Sequence, residues 1–194
     1  MTKRFIREQD LLNDAFRLGV TIYNDGFRPT FVVGLWRGGS AVGIYVQECL
    51  QHLGVKTNHI ALRTSYSGLP EYARMVEDPA ANIRVHGTQY LLENLSHDDR
   101  LLLVDDVCSS GLTLSVVRKR LEYRLKRNMP ADVRVATIWN KPAANCSGRF
   151  PDYFLHDTDD WLVLPYELQG LDDAEIDKHK PAVAAMLATT RPSR

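Results

Sequence analysis

The chain is poor in cysteine. Cys49, Cys108 and Cys146 are its only three among 194 residues, and their wide spacing argues against both a disulfide framework and a paired-cysteine zinc site. No excess of either charge is present: 24 Lys and Arg balance 24 Asp and Glu, so attraction to nucleic acid or to an anionic membrane would need a local patch. No apolar run approaches the length that spans a bilayer. Met1 to Asp10 lacks the apolar core of a secretion signal, so a cytoplasmic location with no membrane partner is expected. Internal repeats, low-complexity tracts and the spaced glycine fingerprint of a dinucleotide-binding turn are also missing. What remains, 44% hydrophobic and 25% charged residues, suits one globular α/β domain over residues 1–194.

Periodicity predicts an opening helix over Asp10 to Ile22, closed by Asn24, Asp25 and Gly26. A strand over Phe31 to Leu35, a loop at Trp36 to Ser40 and a helix over Val42 to Leu53 follow. Further strands are expected at Lys56 to Leu62, Leu101 to Val104 and Val133 to Trp139, with a helix from about Leu112 to Arg127. Such alternation implies a parallel sheet. Arg63 to Gln89 is rich in turn formers and reads as a mobile excursion. Short strands at Tyr153 to Leu155 and Trp161 to Leu164, flanking Asp157 to Asp160, are read as part of a small C-terminal cap over the site, spanning about 141–171. Asp172 to Thr190 reads as an amphipathic helix broken near Pro181.

The chemistry concentrates after the strand Leu101 to Val104. Asp105 and Asp106 follow it, then Ser109, Ser110, Gly111 and Thr113 open a basic helix. Ligands gather beyond the carboxyl ends of parallel strands, and a helix N-terminus offers unpaired N–H groups and a favourable dipole to an anion. Two carboxylates beside a phosphate cradle suggest a sugar phosphate. Cys108, inside this turn, reads mainly as a small buried filler, although a helix N-terminus can lower a thiol pKa. At Trp36 to Gly39 the glycines allow close backbone approach, and Arg37 supplies a planar cation for a diphosphate.

The acidic pair and its small-small-Gly-x-Thr turn resemble the phosphoribosyl pyrophosphate (PRPP) signature of type I phosphoribosyltransferases. The resemblance implies a parallel-sheet, Rossmann-like core with a flexible hood over residues 63–89. It implies PRPP binding by Arg37, Gly38, Asp105, Asp106, Ser109, Ser110, Gly111 and Thr113. Lys141 and the Trp161 to Glu167 segment are similar to base-recognition elements of the 6-oxopurine branch, with Lys141 donating to the exocyclic oxygen, Trp161 stacking and Leu162 lending main-chain contacts. Ser65 and Tyr66 resemble the Ser-Tyr of the hood that excludes water from the reaction centre.

By the same resemblance, the activity is transfer of 5-phosphoribose from PRPP to hypoxanthine, guanine or xanthine, releasing pyrophosphate, by a homo-oligomer. Mg²⁺ is implied, with Asp105, Asp106 and Glu167 as candidate ligands. One position departs from the pattern: purine-salvage relatives usually carry an aspartate where Ser109 stands, and an unaided serine is no comparable base. Two other readings stay open, a transferase for a different base and a PRPP- or nucleotide-sensing regulator that binds nucleic acid through Arg118, Lys119, Arg120, Arg124, Lys126 and Arg127.

Overall fold

The computed structural model describes residues 3–66 and 83–190. These residues divide into two compact units: one of Gln9–Asp159, and a smaller one formed by the two ends of the chain, Met1–Glu8 with Asp160–Arg194.

The larger unit is built on a six-stranded sheet. Its strands are β2 (Phe31–Trp36), β3 (Asn58–Tyr66), β4 (Ile83–His86), β5 (Arg100–Cys108), β6 (Asp132–Asn140) and β7 (His156–Asp157), in the spatial order β4-β3-β2-β5-β6-β7. All neighbours are parallel except β3 and β4, which pair antiparallel from Arg63↔His86 to Tyr66↔Ile83. The helices are α1 (Glu8–Asn24), α2 (Gly38–His52), α3 (Gln89–Asn94) and α4 (Leu112–Leu125).

Alternation along the strands divides the core. Phe31, Val33, Leu35, Leu101 and Leu103 pack with Leu91, Leu95 and the α4 stripe Leu114, Val117, Leu121 and Leu125. Across the sheet, α2 lies on β2 and β5. Each fully buried leucine contributes roughly 1.5–3 kcal/mol over the exposed side chain, so this layering holds the strand ends in register.

Three segments differ from the sequence expectation for identifiable reasons. β5 runs four residues past the apolar stretch, because its ladder with β6 continues to Cys108↔Asn140; apolarity marks only the part covered on both faces. The helix expected from Val42 begins at Gly38. Its glycines hide it from propensity, yet contact demands one of them: a Cβ on Gly39 would collide with the Val104 carbonyl oxygen. Part of the stretch read as irregular is the β3–β4 stem, followed by α3; residues 67–82 of the expected hood lie outside the described residues.

The expected cap is also redrawn. Tyr153 bridges Ala136, and β7 extends the main sheet. Trp161–Val163, here β8, pairs instead with β1 (Lys3–Phe5), a strand of which the charge-rich N-terminal sequence carries no sign. In this smaller unit the tail forms α5 (Asp173–His179), started by an Asp172/Glu175 capping box, and α6 (Pro181–Ala188), divided at Pro181 as expected.

Candidate active site

Four adjacent parallel strands, β3, β2, β5 and β6, end on the same sheet edge. The sequence-predicted residues of the larger unit lie on or just beyond those ends: Ser65 and Tyr66 on β3, Arg37 and Gly38 after β2, Asp105 and Asp106 on β5 with the turn Ser109 to Thr113 beyond, and Lys141 after β6. In an open α/β sheet this edge is where ligands bind.

The two acids sit on the strand itself. The Asp106 N–H donates to Asp105 Oδ1 at 3.0 Å, and the Val107 N–H donates to Asp106 Oδ1 at 2.8 Å. Burial, and then the neighbouring Asp106 carboxylate, push the Asp105 carboxyl well above its usual range; hydrogen bonds from the Asp106 and Gly39 backbone N–H groups oppose this. Gly39 makes the approach possible. A Cβ there would collide with the Val104 carbonyl oxygen and lie 2.7 Å from Asp105 Cα. The Trp36–Arg37 peptide is cis, and Arg37 is exposed at the N-cap of α2.

The turn after β5 is shaped from within. Gly111 is the N-cap of α4 at φ +72°, a left-handed conformation suited to glycine, and Ser110 Oγ accepts from the Leu112 N–H at 3.3 Å. A segment that carries no motif in the sequence is latched to this turn. The Ser110 carbonyl accepts from the Cys146 and Ser147 N–H groups, both at 3.1 Å, and a Cβ on Gly111 would collide with Ser147 Oγ. Asn145 Oδ1 in turn accepts from the Ser147 N–H and hydroxyl. The asparagine, serine and glycine content was the available signal, since such residues build tight self-bonded loops.

Lys141 is half-buried at the β6 end, and its N–H donates to the Cys108 carbonyl at 2.8 Å. Cys108 is buried, and burial together with the Asp105 charge pushes its thiol up to about 11, so the filler reading holds over the activated one. Ser65 Oγ lies 2.9 Å from His86 Nε2 across the hairpin stem. Opposite Asp105 in the ladder stands Thr137, a second residue that sequence reasoning missed; its hydroxyl is buried with no hydrogen-bond partner among the described residues.

The remaining three predicted residues belong to the smaller unit. Trp161 is 55% exposed at the start of β8, so its ring is not a core aromatic, while Leu162 is buried. The Glu167 carboxylate accepts from the Leu164 N–H at 3.0 Å, closing the turn that follows β8. Among the described residues no group of three or more His, Cys, Asp or Glu is placed to hold a metal ion. No described helix is long and apolar enough to cross a membrane.

A phosphoribosyl transferase domain model matches residues 7–169. The chain belongs to the phosphoribosyltransferase family. Its mostly parallel α/β sheet is the type I fold that the sequence motif suggested. A search of curated protein sequences finds no match. Among solved structures, a purine phosphoribosyltransferase from Pyrococcus horikoshii Ot3 is 20% identical, with a TM-score of 0.64 over 89% of this chain and 99% of that one. A Neisseria gonorrhoeae protein with bound ppGpp is 19% identical, with a TM-score of 0.69 over 95% and 97%. A Helicobacter pylori xanthine-guanine-hypoxanthine phosphoribosyltransferase is 15% identical, with a TM-score of 0.63 over 86% and 95%.

Proposed function

We propose that the protein transfers 5-phosphoribose from PRPP to a 6-oxopurine, giving the nucleoside 5′-monophosphate and pyrophosphate. The observation that supports this reading is the close approach of Gly39 to Asp105, which brings the loop after β2 against the acidic end of β5 that leads into the Ser109–Thr113 turn. In this reading Arg37 and the Gly38 N–H hold the diphosphate, and Asp105 and Asp106 hold the ribose hydroxyls. The 5′-phosphate sits on Ser109, Ser110, Gly111 and Thr113.

The bond from the anomeric carbon to diphosphate breaks as a purine nitrogen bonds to the opposite face, and the ring N–H proton leaves to solvent or to a neighbouring base. Lys141 donates to the purine oxygen, while Trp161 and Leu162 of the smaller unit keep the base-recognition roles that the resemblance implies. Ser65 and Tyr66 help exclude water from the oxocarbenium-like centre.

Hard oxygen donors beside a doubly acidic strand end suit Mg²⁺. A carboxyl pushed up by burial and a like charge is relieved by a divalent cation, and with only two adjacent carboxylates the other ligands would come from the substrate. Bound by Asp105 and Asp106, the ion would neutralise the leaving diphosphate; Glu167, expected from sequence as a further ligand, forms no metal-holding group with them among the described residues and instead accepts from the Leu164 N–H.

One observation favours a second reading, a nucleotide-sensing regulator: the N. gonorrhoeae structure of the same fold holds ppGpp. Incubation with PRPP, Mg²⁺ and each of hypoxanthine, guanine and xanthine, following pyrophosphate release, separates the two. Base-dependent release supports the transferase. Binding of ppGpp without release under any of the three bases supports the regulator and rejects the 6-oxopurine transferase.

A further inference from the structure

We infer that the outer face of α4, with the groove beside it, docks single-stranded nucleic acid, an interaction separate from the proposed transfer. Between Arg118 and Arg127 stand six cations and one acid, Glu122. Arg118 is engaged by that acid at 3.0 Å, whereas among the described residues Lys119, Arg120 and Arg124 have no carboxylate within ion-pair distance. The chain as a whole is neutral, so this concentration is local.

The buried stripe of α4 turns its opposite face to solvent and places Tyr123 there, next to Lys119 and Arg120 at four and three residues' spacing. Tyr123 is 72% exposed, more than any other large hydrophobic residue among the described residues, and its hydroxyl makes no hydrogen bond with them. Along the same flank Val116 and Arg120 meet β4 in an open groove of about 380 Å³, to which β4 adds Arg84 and His86.

Unpaired cations attract any polyanion, but the bare ring among them selects. Phosphates can follow the arginines while an unstacked base lies on Tyr123, a contact that an acidic peptide cannot return and that a duplex, with its bases already stacked, does not offer.

The test is fluorescence anisotropy of fluorescein-labelled 20-nucleotide RNA and DNA with the full chain, in 150 mM KCl and across a salt series. Saturable binding with Kd between about 1 and 100 μM is expected for at least one of them. Tyr123→Ala should weaken it at least about fivefold, with thermal midpoint and pyrophosphate release unchanged. Arg120→Gln with Arg124→Gln should lower the slope of log affinity against log salt by about 0.7 for each phosphate no longer neutralised. Absence of saturable binding overturns the inference, as does a Tyr123→Ala effect under twofold. So does equal displacement by a polyglutamate peptide, which would assign the surface to an acidic polypeptide.

Discussion

Gly39 lies so close to Asp105 that a Cβ on it would stand 2.7 Å from Asp105 Cα and 2.9 Å from Asp105 Oδ1, so the first turn of α2 and the end of β5 touch across a gap too narrow for a methyl group. Gly39→Ala must push a Cβ into the Val104 carbonyl oxygen and to within 2.7 Å of Asp105 Cα, against backbone on both counts, where no side chain can yield. It should destabilise the protein by about 1–3 kcal/mol and lower pyrophosphate release disproportionately. Urea denaturation beside a turnover assay checks this, and unchanged values in both would refute the close approach.

The acidic pair predicts opposite effects on stability and activity. Asp105→Asn keeps an acceptor for the Asp106 and Gly39 N–H groups while removing a buried like charge. The ligand-free protein should become more stable, read as a higher urea midpoint. Asp105→Asn combined with Asp106→Asn should cut turnover by about a hundred- to a thousandfold with the fold retained. A variant as active as the parent would remove these acids from the mechanism.

On the other side of the larger unit, Tyr153 and Arg134 both donate to Asp25 Oδ2, at 2.6 and 2.7 Å. These two hydrogen bonds hold the Asp25 carboxyl below its ordinary value, so its contribution to stability is present above the unfolded carboxylate range and is lost as pH falls through the lowered value. Burial and the Asp25 bond push the Tyr153 hydroxyl up to about 12; its contribution is therefore complete below about pH 10 and is lost as pH rises through about 12. Tyr153→Phe should start acid unfolding at higher pH and abolish that alkaline limb. An NMR titration of Asp25 with stability measured against pH would show it, and coincident curves would sink the account.

Alkylation with iodoacetamide at pH 8 should label the exposed Cys146 and spare Cys108, whose thiolate fraction at a pKa of about 11 is about one in a thousand. Mass spectrometry of the native and the urea-unfolded protein tells these apart. Native labelling of Cys108 would contradict its burial.

The central strands, α1 and α4 could be read from periodicity because each buries a continuous stripe, and the Asp105–Thr113 run could be read because its chemistry is local in sequence. What escaped depended on contacts between distant segments. β1 has no apolar pattern and exists through its pairing with β8. Ser147 matters through Gly111, thirty-six residues away, and nothing near either residue announces the other. The start of α2 was hidden by the same glycines that its packing requires.

The pairing of Lys3–Phe5 with Trp161–Val163 joins two strands that lie 158 positions apart in the sequence. On the ribosome β1 waits, without its partner, until residues 161–163 have emerged, so the unit that carries Trp161 is completed only after every strand of the larger unit has been made. A substitution that breaks either of these two strands would disturb the same small assembly.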